Sequence, residues 1–198
     1  MAIAVAVIIA GSGGCATVPP DDLGDVCAIF KEQRGWYKSA REAQDRWGVP
    51  IHVQMAIIYQ ESHFEPKARP PRYRFLGILP TFRPSSAFGY AQVKDDTWDW
   101  YIAQTGNNGA DRDDFADAVD FIGWYGDLSQ RRLKISKWDA YNQYLAYHEG
   151  QGGFSNKTYK KKDWLLDAAH AVEANAKRYR AQLPACEDDL NRSWFWPF

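Results

Sequence analysis

Apolar positions recur at helical spacing along most of the chain, and strand-like alternation is nearly absent. A first helix is predicted over residues 25–47, with Cys27, Phe30, Trp36, Tyr37 and Ala40 as apolar positions and Gly48 as its end. Val49-Pro50 opens a second, because the missing proline N–H has no intrahelical partner in a first turn. There Ile51, Met55 and Ile58 repeat, with Val53 and Ile57 alongside, so the buried face is wide; Pro66 keeps the helix from running much further. Helices are also predicted over 95–105 (Trp98, Tyr101, Ile102), 113–133 (Phe115, Val119, Ile122, Tyr125), 138–148 (Tyr141, Leu145, and Tyr144 or Tyr147) and 164–183 (Leu165, Ala169, Val172, Ala176, Tyr179). Gly123 and Gly126 permit close packing or a kink, and Pro184 stops the last helix. The pattern is all-α (α+β at most), with room for a short β-hairpin in the 66–90 region.

One polar position stands out against this pattern. Glu61 lies three residues after Ile58 and four after Ile57, at the C-terminal end of the apolar stripe. A carboxylate there is poorly solvated and faces the negative end of the helix dipole. Both effects favour the protonated form, which is what a general acid needs near neutral pH. The alternative is a side chain that rotates into solvent or pairs with a Lys or Arg.

The segment that follows is irregular. Pro66, Pro70, Pro71, Pro80 and Pro84 break regular structure, while Arg69, Arg72, Arg74 and Arg83 make it basic and Tyr73, Phe75, Phe82 and Phe88 interleave. Such a stretch is either a mobile surface loop or a functional one, and here it could wall a groove beside Glu61 and favour an anionic polymer. Gly89 then permits a tight turn, and Gln92 offers donor and acceptors to a ligand. Lys160-Lys161-Lys162 reads as a solvated run.

Composition sharpens the picture in two respects. The net charge of −1 gives no basic excess for nucleic acid. The aromatic set (Trp 9, Tyr 11, Phe 10) is large enough to fill a core and also to stack on sugar rings. The four histidines, His52, His63, His148 and His170, show no His-Glu-x-x-His spacing, and no Gly-x-Ser-x-Gly elbow is present. His52 reads as a surface residue and His63 as a helix-end residue. No metal or cofactor is expected.

Residues 2–9 are apolar and uncharged, followed by Gly11-Ser12-Gly13-Gly14-Cys15. An apolar run ending in small residues reads as an export signal, and ending at Cys15 it resembles a bacterial lipoprotein signal. The resemblance implies lipidation of Cys15, membrane attachment through that lipid and, with Ala16 rather than Asp after the cysteine, the periplasmic side of the outer membrane. The expected divisions are a signal over 1–14, a tether over 15–24, a domain over 25–186 and an aromatic tail over 187–198. In an oxidising compartment Cys27 and Cys186 form an even pair. A bond between them would tie the first helix to the last; two buried thiols are the alternative.

Four short segments carry a second resemblance. Tyr59-Gln60-Glu61-Ser62-His63-Phe64 resembles the Glu-Ser motif of lytic transglycosylases with the soluble-lytic-transglycosylase domain, related to goose-type lysozyme. Gly89-Tyr90-Ala91-Gln92 resembles their Gly-Leu-Met-Gln, Ala146-Tyr147-His148-Glu149-Gly150 their Ala-Tyr-Asn-Ala-Gly, and Tyr179 a tyrosine of their final helix. His148-Glu149 in place of Asn-Ala, Val93-Lys94-Asp95 after the glutamine, and the long 66–88 link mark a divergent branch.

The resemblance implies a lysozyme-like helical domain with an active-site groove, and peptidoglycan as substrate. Glu61 would be the catalytic acid and then base in forming a 1,6-anhydromuramyl end. Ser62, Tyr90, Gln92, Tyr147, His148, Glu149 and Tyr179 would be substrate contacts, with Tyr179 near Glu61. Two other readings stand beside it. A lysozyme-like hydrolase would need Asp95, Asp96 or Glu149 as base for water. A catalytically silent glycan-binding lipoprotein would not need Glu61 at all.

Overall fold

The structure is a computed structural model that describes residues 18–72, 74–75, 79–80, 82–83 and 85–195. The expected signal (1–14), Cys15, the start of the tether and the final Trp196-Pro197-Phe198 lie outside the described residues.

Among the described residues the first helices are α1 (Val26–Glu32) and α2 (Trp36–Trp47), where the sequence pattern predicts one continuous helix. The break falls at Gln33-Arg34-Gly35, and glycine is a poor helix former. Asp25 caps α1 through its carboxylate, which accepts from the Cys27 and Ala28 amides. The break re-aims the chain so that Trp36 stacks on Phe115 at 3.9 Å and touches Phe64 and Tyr90. Val26, Ile29, Phe30, Trp36, Tyr37, Ala40 and Ala43 of the two helices are thereby buried, while Lys31, Glu32, Lys38 and Glu42 stay exposed.

The central element is α3 (Ile51–Ser62), buried on nearly all sides by α2, α5, α6 and α7. Gln54 is fully enclosed and donates to the Ala40 and Val49 carbonyls, fixing α3 against α2. His52 is a correction to the surface reading. It is 7% exposed, lies 5.3 Å from the Trp138 ring, and burial together with the Arg180 charge pushes its pKa down to about 4. The helix ends as Pro66 requires: His63 and Phe64 take left-handed backbone conformations, and Phe64 turns into the core.

The 66–90 region contains the short antiparallel hairpin of β1 (Arg74–Phe75) and β2 (Leu79–Pro80), paired Arg74 to Pro80 and Phe75 to Leu79. Beyond it α4 (Asp95–Thr105) and α5 (Phe115–Leu133) form, α5 capped by the Asp114 carboxylate. A Cβ on Gly123 would sit 2.7 Å from Trp47, and one on Gly126 2.7 Å from Val49. These glycines provide close packing of α5 on the end of α2, and no kink. Next come α6 (Ala140–Ser155), α7 (Asp163–Gln182) and α8 (Glu187–Phe195). Part of the expected tail is thus helical: Glu187 and Asn191 accept from the Tyr37 hydroxyl. Cys27 and Cys186 are joined in a disulfide that links the start of α1 to the turn before α8.

Candidate active site

Glu61 occupies the last turn of α3 and lines a cleft of about 520 Å³. One of its oxygens, Oε1, is buried and has no hydrogen-bond partner. Burial pushes its pKa from 4.5 up to about 7, against a hydrogen bond from the Tyr144 hydroxyl that favours the ionised form. Around neutrality this carboxyl is therefore poised between its acidic and basic forms. Tyr144 and Tyr147 are held neutral, primarily by burial and secondarily by the adjacent Glu61. Replacing Tyr144 with Phe will raise the Glu61 pKa by about one unit, since a hydrogen bond to a charged group is lost. The basic limb of the pH–rate profile should move to higher pH by that amount; an unmoved limb would remove Tyr144 from the control of Glu61.

The second wall of the cleft comes from α6, whose backbone leaves helical geometry at Gly150 (φ 74°, ψ 167°). That conformation is easily reached only by glycine. Tyr147, His148, Glu149 and Gly150 all line the cleft at this kink. Tyr147 donates to the Ala91 carbonyl at 2.5 Å, joining α6 to the turn before α4. Burial lowers the pKa of His148, opposed by its contact with Glu149.

Glu149 is enclosed and ion-paired. Its Oε1 accepts from Lys162 at 2.6 Å and lies 3.3 Å from His148 Nδ1, while Oε2 accepts from Thr158. Desolvation acts to raise its pKa, but the bonds from Lys162, Thr158 and His148 prevail and hold it down at about 2. Lys162, expected in a solvated run, is thus engaged in this network.

The third wall is the turn after the basic segment. Gly89 adopts φ +81°, and a Cβ there would fall 1.9 Å from the Arg112 carbonyl oxygen, so only glycine fits. Gln92 lines the cleft, yet its amide donates to the Ala68 and Gly89 carbonyls at 2.8 and 2.9 Å. Its nitrogen is spent on holding the loop. From the basic segment itself, Pro70, Ser85 and Ala87 line the cleft.

Glu61, Gln92, Tyr147, His148 and Glu149 are therefore brought together, and three expected contacts are not. Ser62 is buried and returns its hydroxyl to the Ile58 carbonyl at 3.2 Å. Tyr90 is 1% exposed in the aromatic cluster with Trp36 and Phe115. Tyr179 is fully buried and donates to the Leu23 carbonyl at 2.5 Å, so the phenol bonded to Glu61 is Tyr144 instead. The sequence signal for Tyr144 is its spacing: with Tyr147 and His148 it stands at i, i+3 and i+4 on one helix face. Phe121 and Tyr125, also cleft-lining, sit on the stripe of α5 and are indistinguishable by period from core.

A helical domain whose central helix ends in a buried, proton-holding carboxyl, facing a cleft built on a glycine-kinked helix, has a lysozyme-like architecture. The family model described as Transglycosylase SLT domain matches residues 2–186, and the chain belongs to that family. No curated protein and no solved structure shows a significant match. Membership makes lytic transglycosylase the activity class and peptidoglycan the substrate.

Proposed function

We propose that the protein cleaves the β-1,4 bond between N-acetylmuramic acid and N-acetylglucosamine, with Glu61 as the single acid and base. Protonated Glu61 gives its proton to the glycosidic oxygen as the C1–O bond breaks. The muramyl acetamido oxygen supports the cationic centre, as in substrate-assisted glycosidases. The Glu61 carboxylate then takes the proton of the muramyl C6 hydroxyl, whose oxygen attacks C1. The 1,6-anhydro ring closes, Glu61 regains its proton and no water is consumed.

The observation that carries this reading is the state of the carboxyls around the cleft. Among the described residues lining it, Glu61 and Glu149 are the two carboxylic acids. Both oxygens of Glu149 are engaged and its proton affinity is low, which disfavours it as a base for water. Asp95 is exposed and paired with Arg112 at 2.8 Å, and neither it nor the exposed Asp96 lines the cleft. One titratable carboxyl suits an intramolecular reaction, where a hydrolase of this kind needs two.

The test is mass spectrometry of peptidoglycan digested by the protein. Products about 18 mass units lighter than hydrolysed muropeptides, the loss of one water, support the intramolecular route. Hydrated products would overturn it in favour of a lysozyme. The proposal places the domain on the periplasmic side of the outer membrane, lipid-anchored at Cys15; the Gly-Gly-Cys ending of the apolar leader supports that placement.

A further inference from the structure

Trp164 stands at the start of α7, as its second residue, and is 56% exposed. Its ring meets that of His148 nearly perpendicularly, with centroids 5.0 Å apart. His148 itself lines the cleft that holds Glu61. An exposed indole is thus continuous, through one side chain, with the wall of the cleft.

The backbone that carries this indole is tied down. Lys162, two residues earlier, is bound to Glu149, and Thr158 is bound to the same carboxylate. The Leu165 and Leu166 amides donate to the Lys162 carbonyl at 2.9 and 3.2 Å, so the ion pair anchors the first turn of α7. Leu165 on that turn is fully buried. A ring held in this way loses little freedom when a ligand covers it.

We infer that Trp164 is a glycan-stacking platform, at which a pyranose ring of the strand is received next to His148 and outside the bond-breaking position. This rests on the peptidoglycan-cleaving function proposed above. The axial C–H groups of a sugar meet the face of the indole, whose π system is electron-rich. Glu149 acquires a role that suits its engaged oxygens: it is a positioning residue that ties α6 to the start of α7 and sets the platform beside the cleft. Trp138 offers an internal control. It is 59% exposed, but its ring contacts His52 and the Arg180 guanidinium, and it is not part of the cleft wall.

The experiment compares the wild type with Trp164→Ala, Trp164→Phe and Trp138→Ala on intact sacculi and on a purified glycan fragment of two disaccharides. Trp164→Ala should raise the half-saturating sacculus concentration about tenfold while leaving the saturated rate nearly unchanged. Trp164→Phe should recover most of that loss, and Trp138→Ala should behave as wild type. The short fragment, which is held chiefly around Glu61, should be turned over equally by all. Equal behaviour of Trp164→Ala and Trp138→Ala on sacculi would overturn the platform. So would an equal loss on short and long substrates, because Trp164 would then act only by supporting His148. Unchanged sacculus turnover with lost binding to phosphatidylglycerol vesicles would assign the ring to a membrane surface instead. A wild type that releases no product from either substrate would overturn the proposed function and the platform with it, whereas a wild type that does separates the two.

Discussion

Glu61→Gln will lower the release of anhydromuropeptides by at least about a thousandfold, since it removes a proton donor and acceptor used in both halves of the reaction. The amide keeps the volume of the side chain and can still accept from Tyr144, so the fold should be retained. Stability provides an independent reading of the same substitution. The ordinary pKa of 4.5 is raised to about 7 in the folded protein, so between these values the folded state keeps a proton that the unfolded chain has released. The contribution of Glu61 to stability is therefore fully present below pH 4.5 and is lost as pH rises through 7. Above that the wild type carries the cost of an ionised buried carboxylate, on the order of 3 kcal/mol. The amide does not titrate. The variant should match the wild type in urea denaturation at acid pH and exceed it at alkaline pH. Retained activity would return Glu61 to a structural role, and a stability difference independent of pH would contradict its raised pKa.

The second large effect concerns the two ends of the domain. Replacing Cys27 and Cys186 together by Ser should destabilise the protein by about 5 kcal/mol in the chain-entropy description, since the bond closes most of the chain into a loop. For a domain of this size that corresponds to a fall in Tm of about 10–20 °C, read by calorimetry. The non-covalent ties between the same ends should keep the variant folded at low temperature. The Val26 amide donates to Gln182 Oε1, Gln182 donates to the Gly24 carbonyl, and the Tyr37 hydroxyl reaches Glu187 and Asn191. The cleft is built from α3, α5, α6, the start of α4 and the segment before it, and neither cysteine lines it. Activity measured well below the lowered Tm should therefore be little changed. An undiminished Tm would show that these polar ties, not the disulfide, hold α1 to the end of α7.

Much of the fold was legible because burial in helices leaves a period. The stripes of α3, α5 and α7 run through Ile51, Met55 and Ile58, through Phe115, Val119 and Ile122, and through Leu165, Ala169 and Val172, all of them buried. Glu61 was legible as a candidate for the same reason, since it extends an apolar stripe at a helix end; that it is buried rather than turned to solvent was decided by the packing around α3. Departures arose where a local pattern has two tertiary outcomes. Residues 25–47 fit one helix or two, and the break at Gly35 is decided by the pocket that Phe64, Tyr90 and Phe115 form for Trp36. The exposure of His52 depended on how Trp138 and Arg180, remote in sequence, cover it.

The site residues divide along the same line. Residue type and order pointed to Glu61, Gln92, Tyr147, His148 and Glu149, whose side chains meet in the cleft. The same reasoning included Ser62, Tyr90 and Tyr179, because a motif does not say which of its side chains face the ligand and which support the backbone. By itself the sequence determined the helical class and the position of the candidate acidic residue, since these follow from local periodicity; that only glycine fits at position 89 was decided by the approach of the Arg112 carbonyl. Tertiary structure alone decided that Glu61 is desolvated with Tyr144 as its hydrogen-bond donor, that the charge of Glu149 is balanced by Lys162, and that Trp164 stands beside His148. Each of these depends on a distance between side chains on different turns or elements, and no local pattern encodes that distance.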